Sequence, residues 1–240
     1  MFFESKKRLG VIYFFLIGFL GIYWLSLNRY APRIITNFRD FYTIEDTVAD
    51  YHYDVGQATI FSLIFATIIL KSYLNIYMSE LIRSDTQKYY WAFFKSVCIQ
   101  AIIFTIVFEG VDLIMLFIRV QHTFLFKPII LLALGVRYLI FLGYYIIQGS
   151  LLFLVMQYTK NALVTIFIVP FINVITLEFC RTFEFTHPIS SMNTIDWLWK
   201  GQFGWLTILT ALLQVVIIIT LLAIWNIQKL RREDLLEITK

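Results

Sequence analysis

The sequence is poor in the residues that soluble enzymes rely on. Charged side chains make up only 15% of its 240 residues, and there are three histidines, two cysteines and four prolines. A soluble domain carries about a quarter charged residues. No G-x-x-x-x-G-K-[ST] run is present, which excludes a P-loop cradle for nucleotide phosphates. No H-E-x-x-H pair offers a zinc site, and His52, His122 and His187 match no compact ligand spacing, so they read as isolated loop or interface residues. Apart from Lys6-Lys7-Arg8 and Lys229 to Arg232 there is no basic cluster. Both clusters read as topology signals, which argues against a nucleic-acid partner. No cofactor and no metal is expected.

What the chain does have is apolar surface. It is 60% hydrophobic and 18% aromatic, with a mean hydropathy of +0.76. Such a composition belongs to a membrane protein in contact with lipid, and the length suits one domain, residues 1–240, with no room for an added soluble enzyme domain. A helical span needs about 20 mostly apolar residues. Six such runs are expected, at about 9–27, 55–73, 91–118, 136–158, 162–179 and 203–227. The fold class is therefore an all-α, polytopic six-helix bundle. Residues 128–135 read as an interfacial or tilted lead-in to the fourth span, because Arg137 interrupts the apolar run. The first run follows "ESKKR" but is too long for a signal-peptide core and lacks a small-x-small cleavage site, so it reads as a retained helix.

Charge orients the bundle. Both chain ends are basic and an even number of spans puts them on one side, so both are expected to be cytoplasmic, in a multi-pass protein of the cell membrane. Residues 29–54, 119–135 and 180–202 then face outward. Cys98 and Cys180 fall on opposite sides, and a disulfide, which needs Cα atoms within about 7 Å, is excluded.

Few residues offer chemistry. Gly149-Ser150 in the fourth span lacks a base at its depth and reads as a packing pair rather than a serine nucleophile. Glu109 and Asp112, three apart in "FEGVDLIM", share a helix face near the outer leaflet, and Arg137 falls at similar depth. This intramembrane charge cluster reads as an ion pair between the third and fourth helices, as part of a substrate path, or as headgroup snorkelling. The outer segment 180–205 carries Trp197, Trp199 and Trp205, and reads either as an exposed loop with an aromatic belt or as a short re-entrant element. In the 29–54 loop, apolar residues from Ile34 to Tyr42 recur at helical spacing, so it is a short interfacial helix or a solvated loop with acidic residues behind it.

The stretch "SELIRSDTQKYYWAFFK", residues 79–95, is the most informative. Glu80 and Arg83, then Asp85 and Lys88, are spaced three apart with helix-supporting sign order. Tyr89 to Phe94 anchor at the interface, and Lys95 can snorkel back. A cytoplasmic surface helix over about 79–90 is expected, with its polar face open to a partner.

This arrangement resembles the permeases of type 2 ABC exporters (the ABC-2 family). There, a coupling helix follows the second of six spans, with a Glu near its start and a Lys where the third helix begins. Glu80 and Lys95 stand at those positions, and the segment with Trp197 and Trp199 is similar to the family's re-entrant element. Length and topology also look similar to small YydJ-type peptide-export permeases. The resemblance implies a permease subunit without ATPase activity of its own. A separate ABC ATPase subunit would dock on Glu80, Arg83, Asp85 and Lys88, and a second permease subunit, a copy or a paralogue, would complete the path. The cargo would be a hydrophobic or amphipathic peptide, such as a modified peptide or bacteriocin, exported within membrane lipid surroundings. An ion-coupled secondary transporter using Glu109 and Asp112, and a non-transporting peptide-immunity protein, stand as alternatives.

Overall fold

The computed structural model describes residues 2–27, 35, 41, 54–80, 86–183, 185, 187–192 and 194–238. Six of its helices are long and apolar enough to cross a membrane. The first is Phe2–Leu27 and the second is Ser62–Glu80, which runs on from the short start Asp54–Gly56 through a π-helical turn, Gln57–Phe61. The third is Thr86–Arg119, the fourth Pro128–Thr159, the fifth Ala162–Thr182 and the sixth Trp205–Ile238. Among the described residues there is no β-strand, only an isolated parallel bridge between Ile35 and Val120.

Local chemistry sets several helix limits. Lys127 is extended and Pro128 occupies the first turn, where its missing N–H costs nothing. From there the helix meets no breaker, so the expected lead-in 128–135 and the expected span from Val136 form one unbroken helix to Thr159. The reversal into the fifth helix takes two residues. Lys160 adopts a left-handed conformation with φ 52°, and the Asn161 side chain accepts the Leu163 and Val164 N–H groups. The outer bridge has a similar economy: Ile35 donates its N–H to the Arg119 carbonyl and accepts from the Gln121 N–H, each at 2.9 Å.

Contacts give the helix directions. Tyr13 meets Gln100 and Trp24 meets Asp112, so the first and third helices run parallel. Arg137 meets Glu109, while Phe153 stacks on Phe93, so the fourth runs against the third. Gln57 meets Tyr145 and Ser62 meets Gln148, so the second runs with the fourth. Helices thus alternate, and both chain ends lie at the end of the bundle that carries the 80–86 connection. The far end, termed outer because the charge pattern predicts that it faces outward, carries the 119–128 and 183–204 connections.

The fourth helix is the centre. Of its apolar stretch 56% is buried, against 17% for the first and sixth helices, and it packs on the second, third, fifth and sixth. Its core side is aromatic: Phe141, Tyr145 and Phe153 pack on Phe65, Phe93, Phe104 and Phe108 from the second and third helices. Its glycines allow the closest approaches. A Cβ on Gly143 would stand 2.2 Å from Val215 Cγ1 of the sixth helix, and one on Gly149 2.3 Å from Val97 Cγ1 of the third. Valine is stiff at χ1 and cannot swing away. Gly149→Ala is therefore expected to destabilise by about 1–3 kcal/mol. Thermal unfolding in detergent should show a lowered midpoint, and Val97→Ala should restore part of it in the double variant.

Candidate functional site

Polar side chains buried in this bundle must find partners within it, because hydrocarbon offers none. Most do so, at several levels, while Thr105 Oγ1, the Tyr144 hydroxyl and Gln157 Oε1 have no hydrogen-bond partner among the described residues.

At the outer end stands the ionic cluster. Arg137, 3% exposed, donates from Nε to Glu109 Oε2 at 3.0 Å and from its Nη2 to Asp112 Oδ2. The Trp24 indole N–H donates to the other Asp112 oxygen at 2.9 Å. One guanidinium therefore joins two carboxylates one helical turn apart, and the indole ties the first helix to the same point. Both carboxylates and the guanidinium are buried, so the alternative of snorkelling to headgroups does not describe these side chains.

Deeper, at mid-bundle, lies an uncharged cluster. Ser62 Oγ donates to Gln148 Oε1 at 3.0 Å, and Gln148 Nε2 donates to Asn173 Oδ1 at 2.9 Å. Asn173 Nδ2 donates back to Gln148 Oε1 at 2.5 Å and to Ser62 Oγ at 2.9 Å. Beside this ring the Tyr145 hydroxyl donates to Gln57 Oε1 at 2.7 Å. All five residues are at most 3% exposed. No motif announced them, because Gln and Asn at single positions in apolar runs have no spacing signature. Nearer the chain ends, Tyr13, Gln100, Ser72 and Ser96 form a further group, and Asn226 of the sixth helix bonds both Gln157 and the Ser150 carbonyl. Ser150 Oγ donates to the Ile146 carbonyl of its own helix, the ordinary use of a serine inside a membrane helix.

The centre of the expected 79–90 helix, residues 81–85, lies outside the described residues. On either side of it, Ser79 and Glu80 end the second helix and Thr86 to Lys95 open the third. With no Pro or Gly on either flank, nothing in the sequence stops these two helices at the edge of their apolar runs. Lys88 and Lys95 are exposed, whereas Arg83 and Asp85 lie outside the described residues. Tyr90 and Phe93 are buried against Phe153, and Trp91 is exposed. The expected interfacial helix in 29–54 also falls mostly outside the described residues. Its Ile35 and Phe41 are buried, with Phe41 against Phe124.

The outer segment after the fifth helix folds back on the bundle. A short helix, Thr194–Trp199, rests beside the fourth helix, where buried Thr194 donates from Oγ1 to the Ala133 carbonyl at 2.8 Å. Ala133 lies about 7 Å along that helix from Pro128, so the segment runs alongside the outer turns rather than beyond them. Trp197 is half-buried within it, and Trp205 is exposed at the start of the sixth helix. Nearby, Asp54 accepts from Arg181 Nη2 at 3.3 Å and from Ser190 Oγ at 3.4 Å, pinning this segment to the second and fifth helices. His187 is buried here, its Nδ1 accepting the Ile189 N–H at 3.1 Å.

Among the described residues no group of three His, Cys, Asp or Glu side chains can hold a metal ion. Compared with known proteins, the chain matches no family model, no curated protein and no solved structure. Fold and site together define a multi-pass, all-helical membrane protein whose spans are joined by buried polar clusters.

Two outcomes follow. Removing one member of a buried ion pair leaves an uncompensated charge, which costs about 3–5 kcal/mol. Arg137→Leu should lose stability on that scale in a mixed-micelle unfolding titration. A double-mutant cycle between Arg137→Gln and Asp112→Asn should show coupling of at least about 1 kcal/mol, and additive single effects would refute the pairing. For His187, burial, followed by the nearby Arg181 charge, pushes the imidazole pKa down to about 4. Between about 6.5 and 4 the unfolded chain binds the proton and the folded chain does not, so stability falls as pH drops through that window. Melting midpoints should be flat above pH 6.5 and decline below it, and His187→Gln should flatten that decline.

Proposed function

We propose that this protein is the permease subunit of an ABC exporter that moves a hydrophobic or amphipathic peptide out through the cell membrane. The observation that carries the reading is how closely the second and third helices are joined. The second runs unbroken from its span to Glu80, and the third begins at Thr86. Two long helices joined so closely form a stiff lever. A separate cytoplasmic ATPase that closes on nucleotide can push on such a lever and transmit the motion to two spans at once. The reading puts the coupling surface where these two helices adjoin, in the stretch that carries Glu80 and Lys88. The sequence has no G-x-x-x-x-G-K-[ST] run, so this reading assigns ATP hydrolysis to a separate subunit. A second permease subunit, a copy or a paralogue, completes the path.

The paired carboxylates favour one rival, an ion-coupled secondary transporter. They lie toward the outer end of the third helix, away from the midplane where such sites usually sit, and Arg137 occupies both. Transport that follows the proton gradient and ignores ATP depletion would decide for the rival.

Affinity purification from native membranes in mild detergent tests the first reading. A cassette ATPase should copurify, and Glu80→Lys with Lys88→Glu should cut its recovery about tenfold or more, the effect of losing about 1.4 kcal/mol of contact energy. Absence of any ATPase, together with transport indifferent to both reversals, would sink it.

A further inference from the structure

The mid-bundle ring of Ser62, Gln148 and Asn173 is richer than helix packing requires. One small polar residue per interface is enough to join membrane helices, and each added carboxamide must be fully satisfied or it destabilises the bundle. Here three helices commit two carboxamides and a hydroxyl to one point, with Gln57 and Tyr145 beside it.

Two features set this level apart. First, both flanking helices are irregular at it. The π-turn Gln57–Phe61 ends directly before Ser62. In an α-helix, residues 57 and 62 would point about 140° apart. The wider π-turn, with its i→i+5 bonds, brings both toward one face, and π-turns recur at functional sites. In the fifth helix, buried Pro170 lies one turn before Asn173 and removes the N–H that would bond the Ile166 carbonyl. Second, the level is central. Asn173 falls within one residue of the midpoint of its apolar stretch, Ala162–Thr182, and Ser62 and Gln148 meet it at that depth. Interrupted helices meeting at the membrane midplane are where transporters bind their solutes.

The chemistry of the ring indicates the solute. It holds no formal charge, and it presents carboxamide N–H donors as well as oxygens, unlike the all-oxygen cages that hold hard cations. Gln148 and Asn173 exchange reciprocal N–H···O bonds of 2.9 and 2.5 Å, which is how two amides recognise each other. We propose that this ring is a gated recognition site for a neutral amide, the backbone of a peptide segment. The peptide's N–H and C=O replace one carboxamide in the pair when the fifth helix swings at Pro170 away from the second and fourth. This rests on the peptide-permease reading and names the part of the path that reads the cargo. The ionic cluster at Arg137, about 16 Å further out along the fourth helix, stays closed as a separate joint.

The test uses the full chain in phosphatidylcholine–phosphatidylglycerol nanodiscs and a capped dipeptide amide bearing a benzophenone, N-acetyl-benzoylphenylalanyl-leucinamide. Adducts mapped by mass spectrometry should concentrate in residues 54–72 and 162–182. Excess N-acetyl-leucyl-leucinamide should suppress them, and decyl acetate, which partitions into lipid but has no amide, should not. Gln148→Met should reduce adducts about tenfold, the equivalent of about 1.4 kcal/mol of recognition, in protein that still melts cooperatively. If that variant does not fold, Ser62→Ala, which leaves the carboxamide pair intact, should reduce them about threefold. Adducts spread over all the lipid-facing helices, or undiminished in folded Gln148→Met or Ser62→Ala, would show a structural pin and overturn the proposal. The outcome is separable from the permease reading, since a copurifying ATPase with no competed labelling removes the site alone. Competed labelling with no ATPase removes the permease assignment alone.

Discussion

The fourth helix cannot stand in lipid by itself, and the rest of the bundle is arranged around that constraint. It carries Arg137, Gln148 and Gln157, all buried, at three depths of a segment otherwise apolar. Each needs hydrogen-bond partners that hydrocarbon lacks, and a guanidinium needs a carboxylate as well. The third helix answers the first need with Glu109 and Asp112, the second and fifth answer the next with Ser62 and Asn173, and the sixth answers the last with Asn226. Every helix that packs on the fourth is fastened to it by one of these polar joints, and the first helix is fastened to the third through Trp24 and Asp112.

Between the joints the contacts are apolar and space-filling. Phenylalanine and tyrosine rings interlock at centroid distances of 4.4 to 4.8 Å between Phe153 and Phe93, Phe141 and Phe108, and Tyr145 and Phe104. Such packing attracts without choosing a rotation, because lipid tails are as apolar as the partner helix. The polar joints choose the rotation. Gly143 and Gly149 then let the sixth and third helices come close enough for those joints to form. An aromatic core with polar pins can part and close again, since each pinned group has a defined partner to return to. That property suits a bundle whose proposed work is alternating access.

The 79–95 stretch shows how much charge spacing leaves open. Charge spacing in 79–95 pointed to a helix, and helix is what its described parts form. Spacing alone does not say whether such a helix stands apart or continues its neighbour, because both satisfy the same i,i+3 pairing. The fourth helix shows the same limit: Arg137 suggested a lead-in and a separate span, yet the helix runs unbroken from Pro128 through Gly135 to Thr159. The outer segment went the other way. Its tryptophans suit an exposed aromatic belt as well as a re-entrant element, and the bond from Thr194 to the Ala133 carbonyl places it beside the bundle.

By itself the sequence determined the class of fold and the number of spans. A membrane accepts only long runs whose backbone bonds are satisfied internally, and such runs are visible in one dimension. It also pointed to Glu109, Asp112 and Arg137, because charges are conspicuous in apolar runs and their depths can be counted from the helix rise. The tertiary structure decided which neutral polar groups meet. Ser62, Gln148 and Asn173 are separated by 25 to 111 positions along the chain, and each alone is an unremarked residue in an apolar run. Their meeting depends on the rotation of three helices, one of them altered by a π-turn that no residue pattern announces. Rotation is set by hydrogen bonds between helices, which exist only once the helices have packed.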